Sequence, residues 1–303
     1  MRRRNFIRHA TALYGGLLLV PKLAGAMTAR RVPRLTILHT NDWHSRIDPF
    51  PEDGSRNAGQ GGAVRRAELI DQIRSVEPEL LLLDSGDIFQ GTPYFNFFHG
   101  EVEIELMSQM GYDAATIGNH DFDGGMDNLA LQMRRASFPL LNANYDIQHP
   151  ALASVVEPYR IFERAGMRVG VFGLGIELDG LVPEKLYAGT AYRDPVARGN
   201  ETALHLRSVE KCALVVCLSH LGFRYRDDKV SDVTLAARSR NIDIILGGHT
   251  HTFLDEPVVV DDLDGVPTII NQVGFAGLRL GRLDVAFPRK GEVNCIACSN
   301  LRV

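Results

Sequence analysis

The chain has 303 residues, 45% hydrophobic and 23% charged, with 29 glycines and 14 prolines, a balance that excludes a disordered or fibrous protein and suffices for a buried core. Its 33 basic residues nearly offset 37 acidic ones, for a net charge of −4, and no basic arm of the kind that grips nucleic acid is present. Four cysteines are too few for a disulfide scaffold at this length.

The first 26 residues read as a leader. Arg2, Arg3, Arg4, Arg8 and Lys22 fall there with no acid among them; removing these five of the 33 leaves 28 basic residues against 37 acidic, a net −9. An apolar run from Ala10 to Val20 follows, and Ala24-Gly25-Ala26 has the small-x-small form of a signal-peptidase site. The run is too short to span a bilayer, and no cysteine follows the cleavage site to carry a lipid, so no stable membrane anchor is expected. Arg3-Arg4-Asn5-Phe6-Ile7 resembles the twin-arginine export signal, which implies a folded protein delivered to the periplasm or otherwise exported.

Beyond the leader, short apolar runs alternate with helical patterns, so the expected class is α/β, with one catalytic domain over residues 33–303. Strands are expected at Leu35 to His39, Leu80 to Leu83, Ala114 to Ile117, Pro139 to Asn142, Val169 to Phe172, Ala213 to Leu218 and Ile242 to Leu246. Val64 to Val76, Met126 to Ala136 and, more weakly, Pro195 to Val209 space their apolar residues as helices do. Pro267 to Asn271 and Arg282 to Phe287 read as closing strands. Asp48 to Gly62 reads as a long loop of the kind that carries function. Cys212 and Cys217, about 16 Å apart if they flank a strand, cannot pair with each other. Cys295-Ile-Ala-Cys298 lacks the second pair or histidine of a zinc knuckle, and the bonding of the cysteines stays open.

Ligands of open α/β sheets gather where strands end, and five of these runs end in metal-ligand residues. They lead into Asn41-Asp42-Trp43-His44, Asp84-Ser85-Gly86-Asp87, Gly118-Asn119-His120-Asp121-Phe122-Asp123, Ser219-His220 and Gly247-Gly248-His249-Thr250-His251. On an extended stretch, the spacings Asp42-x-His44 and His249-x-His251 turn both side chains to one side. Asp87 offers two carboxylate oxygens to bridge two cations, and Asn119 an amide oxygen. This mixed nitrogen and oxygen set suits Mn, Zn, Fe or Co and not thiolate chemistry.

These blocks resemble the calcineurin-like metallophosphoesterases, most closely the metal-binding domain of periplasmic 5′-nucleotidases and nucleotide-sugar hydrolases, in family order from about residue 35 to 287. The resemblance implies a layered α/β/β/α sandwich. It also implies two divalent metal ions, one held by Asp42, His44, Asp87 and His251, the other by Asp87 as bridge, Asn119, His220 and His249. His120 and Asp123 would form a catalytic dyad, His120 stabilising phosphoryl charge or protonating the leaving oxygen while a metal-held hydroxide attacks. The implied activity is hydrolysis of a small phosphoester, first a nucleotide monoester. A cyclic-nucleotide or nucleotide-sugar phosphodiesterase and a thiosulfonate-type hydrolase are the alternatives within enzymes. A catalytically silent metal-binding protein is the alternative outside them. The related nucleotidases carry a further C-terminal domain that binds the nucleoside; no such domain is expected in these residues, and the expectation is broad specificity or a separate partner chain. Trp43 reads as a pocket wall or a stacking platform, and Tyr94 to Phe98 as an exposed lip or core. Gly61-Gly62 with Arg65-Arg66 reads as ordering the helix that follows, and His9, His99, His149 and His205 as uninvolved.

Overall fold

A computed structural model describes residues 32–287 and 294–303, so the leader expected at 1–26 lies outside the described residues. Two sheets form the centre. In the first, seven strands lie in the order Asn294–Arg302, Arg279–Ala286, Arg34–Thr40, Leu80–Asp84, Ala114–Thr116, Leu140–Leu141 and Val156–Glu157. The strands from Arg34–Thr40 to Val156–Glu157 are mutually parallel, and the two C-terminal ones close the edge antiparallel. The second sheet orders Val258–Asp261, Pro267–Asn271, Ile244–Gly247, Leu214–Ser219, Met167–Leu174 and Tyr159–Arg164, parallel in its middle and antiparallel at both margins.

Strands buried on both faces are apolar at nearly every position, and here alternate residues serve different layers. Leu35, Ile37, Leu81 and Leu83 meet Val169, Val171, Leu214, Val216, Leu218, Ile244 and Leu246 between the sheets. Leu38, Leu80 and Leu82 face outward to Ile70, Met107 and Leu129 on the helices Ala63–Val76, Glu101–Met110 and Gly125–Met133. Phe172, Val215, Cys217 and Ile245 face the helices Pro195–Ser208 and Asp232–Arg238. The result is the expected α/β/β/α layering. The helix Glu101–Met110, the strand Tyr159–Arg164 that pairs with Met167–Leu174, and the last strand were not expected from the sequence. All four cysteines are free thiols. No described helix is long and apolar enough to cross a membrane.

The parallel strands of both sheets end on the same side of the sandwich, and the loops that follow them meet there. Asp42 N donates to Gly86 O at 2.9 Å, His44 N to Asp87 O at 3.0 Å, and Ser85 Oγ to Leu246 O at 2.7 Å, tying the first sheet's loops to each other and to the second sheet.

Candidate metal centre

The loops carrying the expected ligands are sharply turned, not extended. Asp42, His44, Asp87, His249 and His251 all have positive φ, between 51° and 70°. That region is uncommon for residues with a Cβ, and such strain concentrates at functional sites. The extended geometry expected for the two x-spaced pairs is therefore corrected. Asp42 and His44 still reach one place, whereas His249 and His251 diverge into two.

Asp42, His44 and His251 form one group and Asp87, His220 and His249 another, each offering ligand atoms that lie within 4.8 Å of one another. In the first, His251 Nε2 lies 3.4 Å from Asp42 Oδ1 and 2.9 Å from His44 Nε2. In the second, His220 Nε2 lies 3.1 Å from Asp87 Oδ2, and Asn119 Oδ1 joins through His249 Nδ1 at 2.8 Å. Asp87 Oδ2 is also 3.8 Å from His44 Nε2, so one carboxylate oxygen faces a histidine of each group. Two glycines permit this crowding: a Cβ on Gly118 would fall 2.2 Å from Asp87 Oδ1, and one on Gly248 2.9 Å from both His220 Nδ1 and Ser85 O.

The donor set fits divalent cations on observations of its own. His220 is fully buried, and its Nδ1 donates to Ser85 O at 2.7 Å. Its Nε2 has no hydrogen-bond partner and points at a carboxylate, an arrangement a cation between them would satisfy. His44 Nδ1 likewise donates to Gln90 O at 3.1 Å, leaving Nε2 aimed inward. Burial lowers the pKa of His44 and brings that of His249 down to about 4, which keeps both imidazoles neutral and able to ligate. Burial works against charge on His220 and Asp87 too, but each stabilises the other: the histidine rises to about 10 and the carboxyl falls below its usual range.

His120 stands beside the two groups, its ring centroid 5.3 Å from that of His44 and its backbone N–H donating to Asp87 Oδ1 at 2.8 Å. Its Nδ1 meets Asp123 Oδ2 at 2.8 Å, and this hydrogen bond raises its pKa against the opposing effect of burial. A cavity of about 420 Å³ opens over His44, Asp87, Asn119, His120, His249 and His251, while Asp42 and His220 lie buried beneath it.

Several residues that organise the site went unassigned in the sequence reading. Asp121 accepts from the backbone N–H groups of Asp87, Ile88, Phe89 and Gly118 at 2.7 to 3.2 Å, bracing two ligand loops; burial and the repulsion of Asp87 push its pKa up to about 7. Asn41 does the same across the sheets, with Nδ2 donating to Gly274 O and Oδ1 accepting from Val273 N. Arg46 lines the cavity with Phe50 and Phe275. Their signal was position alone: each lies within a few residues of a ligand or in a glycine-rich turn.

Trp43 is 1% exposed, so it is no stacking platform for a substrate; the buried Arg66 guanidinium lies 3.8 Å above its ring. Tyr94 to Phe98 is divided between the two roles expected of it, with Phe95 in the core and Phe97 76% exposed. His99, His149 and His205 lie outside both groups, and His9 outside the described residues.

A family model described as calcineurin-like phosphoesterase matches residues 35–253. The trifunctional nucleotide phosphoesterase YfkN of Bacillus subtilis is 32% identical over 291 residues, covering 86% of this chain and 18% of that protein. Human 5′-nucleotidase is 33% identical over 286 residues, covering 86% of this chain and 47% of the relative. The crystal structure of a 5′-nucleotidase precursor from Thermus thermophilus superposes with a TM-score of 0.81 at 31% identity, over 89% of this chain and 54% of that one. This chain thus spans about half the length of these nucleotidases, and less of YfkN.

Proposed function

The chain belongs to the calcineurin-like phosphoesterase family, and from that premise we propose that it is a metal-dependent phosphohydrolase acting on phosphate monoesters, nucleotides first among them. The observation that carries this reading is the pair of donor groups meeting at Asp87 Oδ2, with the His120–Asp123 pair alongside. Two divalent ions, one at Asp42, His44 and His251 and one at His220, His249 and Asn119 with Asp87 common to both, would polarise the phosphoryl group and offset its charge.

The chain's own groups supply the rest. No serine, threonine or cysteine lines the cavity, and in this reading the nucleophile is a water, not a side chain. Asp123 orients the His120 ring through Nδ1 and favours its cation, leaving Nε2 as the atom that gives a proton to the departing alkoxide. The same charge stabilises the phosphoryl oxygens before transfer. Asn119 and the backbone N–H of His120 hold His249 and Asp87 in place. The leader places the enzyme outside the cytoplasm in this reading, its mature domain beginning near residue 33.

The test is a substrate panel on protein carrying two equivalents of manganese or zinc. Adenosine 5′-monophosphate and p-nitrophenyl phosphate should turn over faster than bis-p-nitrophenyl phosphate and a thiosulfonate. No hydrolysis of any phosphoester by protein with both metals bound would refute the proposal.

A further inference from the structure

We propose that Arg46 is a contact for the phosphate of the substrate, an anion subsite separate from the two donor groups; the inference rests on the phosphoester reading above. Arg46 lines the same cavity as His44, His120 and His251. Several arginines that brace the fold are paired with acids, as Arg164 is with Asp113, Arg168 with Glu210 and Arg279 with Asp255, while the unpaired Arg66 is buried over Trp43, away from the cavity. Among the described residues no carboxylate pairs with Arg46, and no side chain or carbonyl accepts a hydrogen bond from its guanidinium.

The group is nonetheless held in place. Its Cζ lies 4.4 Å from the centre of the Phe50 ring. Phe50 meets Phe275 edge to face at 6.5 Å, and Phe275 stacks on His251 at 5.0 Å with 11° between the rings. The guanidinium thus rests on an aromatic wall continuous with a ligand-bearing ring. At its backbone, Arg46 O accepts from the Trp43 indole at 2.7 Å and Arg46 N donates to Trp43 O at 3.2 Å, so a turn anchored by a buried tryptophan fixes the Cα.

A guanidinium held over a ring face by a cation–π contact makes no hydrogen bond to the ring and keeps its N–H groups free to donate, and that fork matches two oxygens of a phosphate. An unpaired, preorganised cation beside a phosphoryl site stabilises charge on the equatorial oxygens, which grows important as the bond breaks. A merely structural arginine covering Phe50 would pack equally well without charge, and that difference is measurable.

The full chain, loaded with Mn²⁺, is titrated calorimetrically with inorganic phosphate, and metal content is measured on the same samples. R46Q should weaken phosphate binding about 10- to 100-fold at unchanged metal content. R46K keeps the charge without the fork and should fall between R46Q and wild type. Michaelis constants for p-nitrophenyl phosphate should rise in the same order. Phosphate affinity in R46Q within twofold of wild type, or a wild type that binds no phosphate, overturns the assignment. If R46Q fails to fold, R46K takes its place, and a phosphate affinity in R46K equal to that of wild type overturns it. Phosphate binding that depends on Arg46 in a protein hydrolysing no ester would refute the activity proposed above and leave this subsite standing.

Discussion

Gly118→Ala tests whether the close approach of two ligand loops matters to the chemistry. Gly118 has an ordinary negative φ, so alanine adds no backbone strain, and the whole effect comes from one methyl group. That methyl would sit 2.2 Å from Asp87 Oδ1 and 2.3 Å from Asp87 N. Ordinary contact needs about 3.5 Å, so Asp87 and the Gly118 backbone must part by roughly 1.3 Å. Neither neighbour is the free end of a flexible chain: Asp87 N donates to Asp121, and Asp87 Oδ1 accepts from His120 N. Overpacking of this kind costs about 1 to 3 kcal/mol, or some 2 to 10 °C in Tm at this chain length. Misplacing a catalytic group by about 1 Å can cost a hundredfold in rate. The expected result is a folded protein with a modest drop in Tm, reduced occupancy at the group containing Asp87, and kcat/KM for p-nitrophenyl phosphate down by about two orders of magnitude. Metal analysis, thermal denaturation and steady-state kinetics on one preparation measure all three. Full metal content with wild-type kcat/KM in Gly118→Ala would refute the argument that this contact positions Asp87.

Asp87→Asn retains an oxygen for the His120 N–H but removes the charge shared by both donor groups; metal content should fall toward one ion or none and activity by at least about a hundredfold, as read by metal analysis and turnover. His120→Ala should keep both ions yet lose about a hundredfold in turnover of alkyl phosphates and much less of p-nitrophenyl phosphate, whose leaving group hardly needs a proton; equal losses on both would remove the acid role. Chelation of the purified protein should lower Tm by about 5 to 10 °C, since ions that bind only the folded state stabilise it; an unchanged Tm on complete removal of metal would show that the donor groups do not hold ions tightly.

The positions of the central strands were legible because burial on both faces leaves an apolar signature at every residue, as in Leu80–Asp84 and Leu214–Ser219. The histidines and acids at their ends stood out against that background. Elements with mixed patterning escaped notice: the helix Glu101–Met110 buries only one stripe, and Tyr159–Arg164 is a half-exposed margin strand. Side-chain fate was less legible still. Trp43 reads as a pocket wall, with a stacking platform as the alternative, until Arg66, 23 positions later in the chain, is seen to lie over it. The left-handed turns at Asp42 and His249 had no sequence signal, because glycine, the residue that advertises such turns, is not there. Asp121 differs from its neighbour Asp123 only in where the chain folds it, inward to four amides and not outward to His120.

The two donor groups draw on loops of both sheets, and that origin gives the sandwich an unusual mechanical character. Asp42, Asp87 and Asn119 follow strands of the first sheet, and His220, His249 and His251 follow strands of the second. At this end the sheets are stitched by polar bonds, His249 N to both oxygens of Asp42 at 3.0 Å and His220 Nδ1 to Ser85 O at 2.7 Å. Between them lies the aliphatic layer of Leu35, Leu83, Val216 and Leu246, with further polar ties where Arg164 donates to Leu80 O at 3.1 Å and Asn271 meets His39 and Asn300 at 2.8 Å. Apolar side chains resist separation but have no direction, so they resist sliding only through their interlocked shapes. A shear of one sheet past the other therefore changes the distances between ligand atoms drawn from both. The cavity is thus a gauge of inter-sheet alignment: a substitution that loosens the aliphatic layer, even far from His120, should change the spacing of the donors.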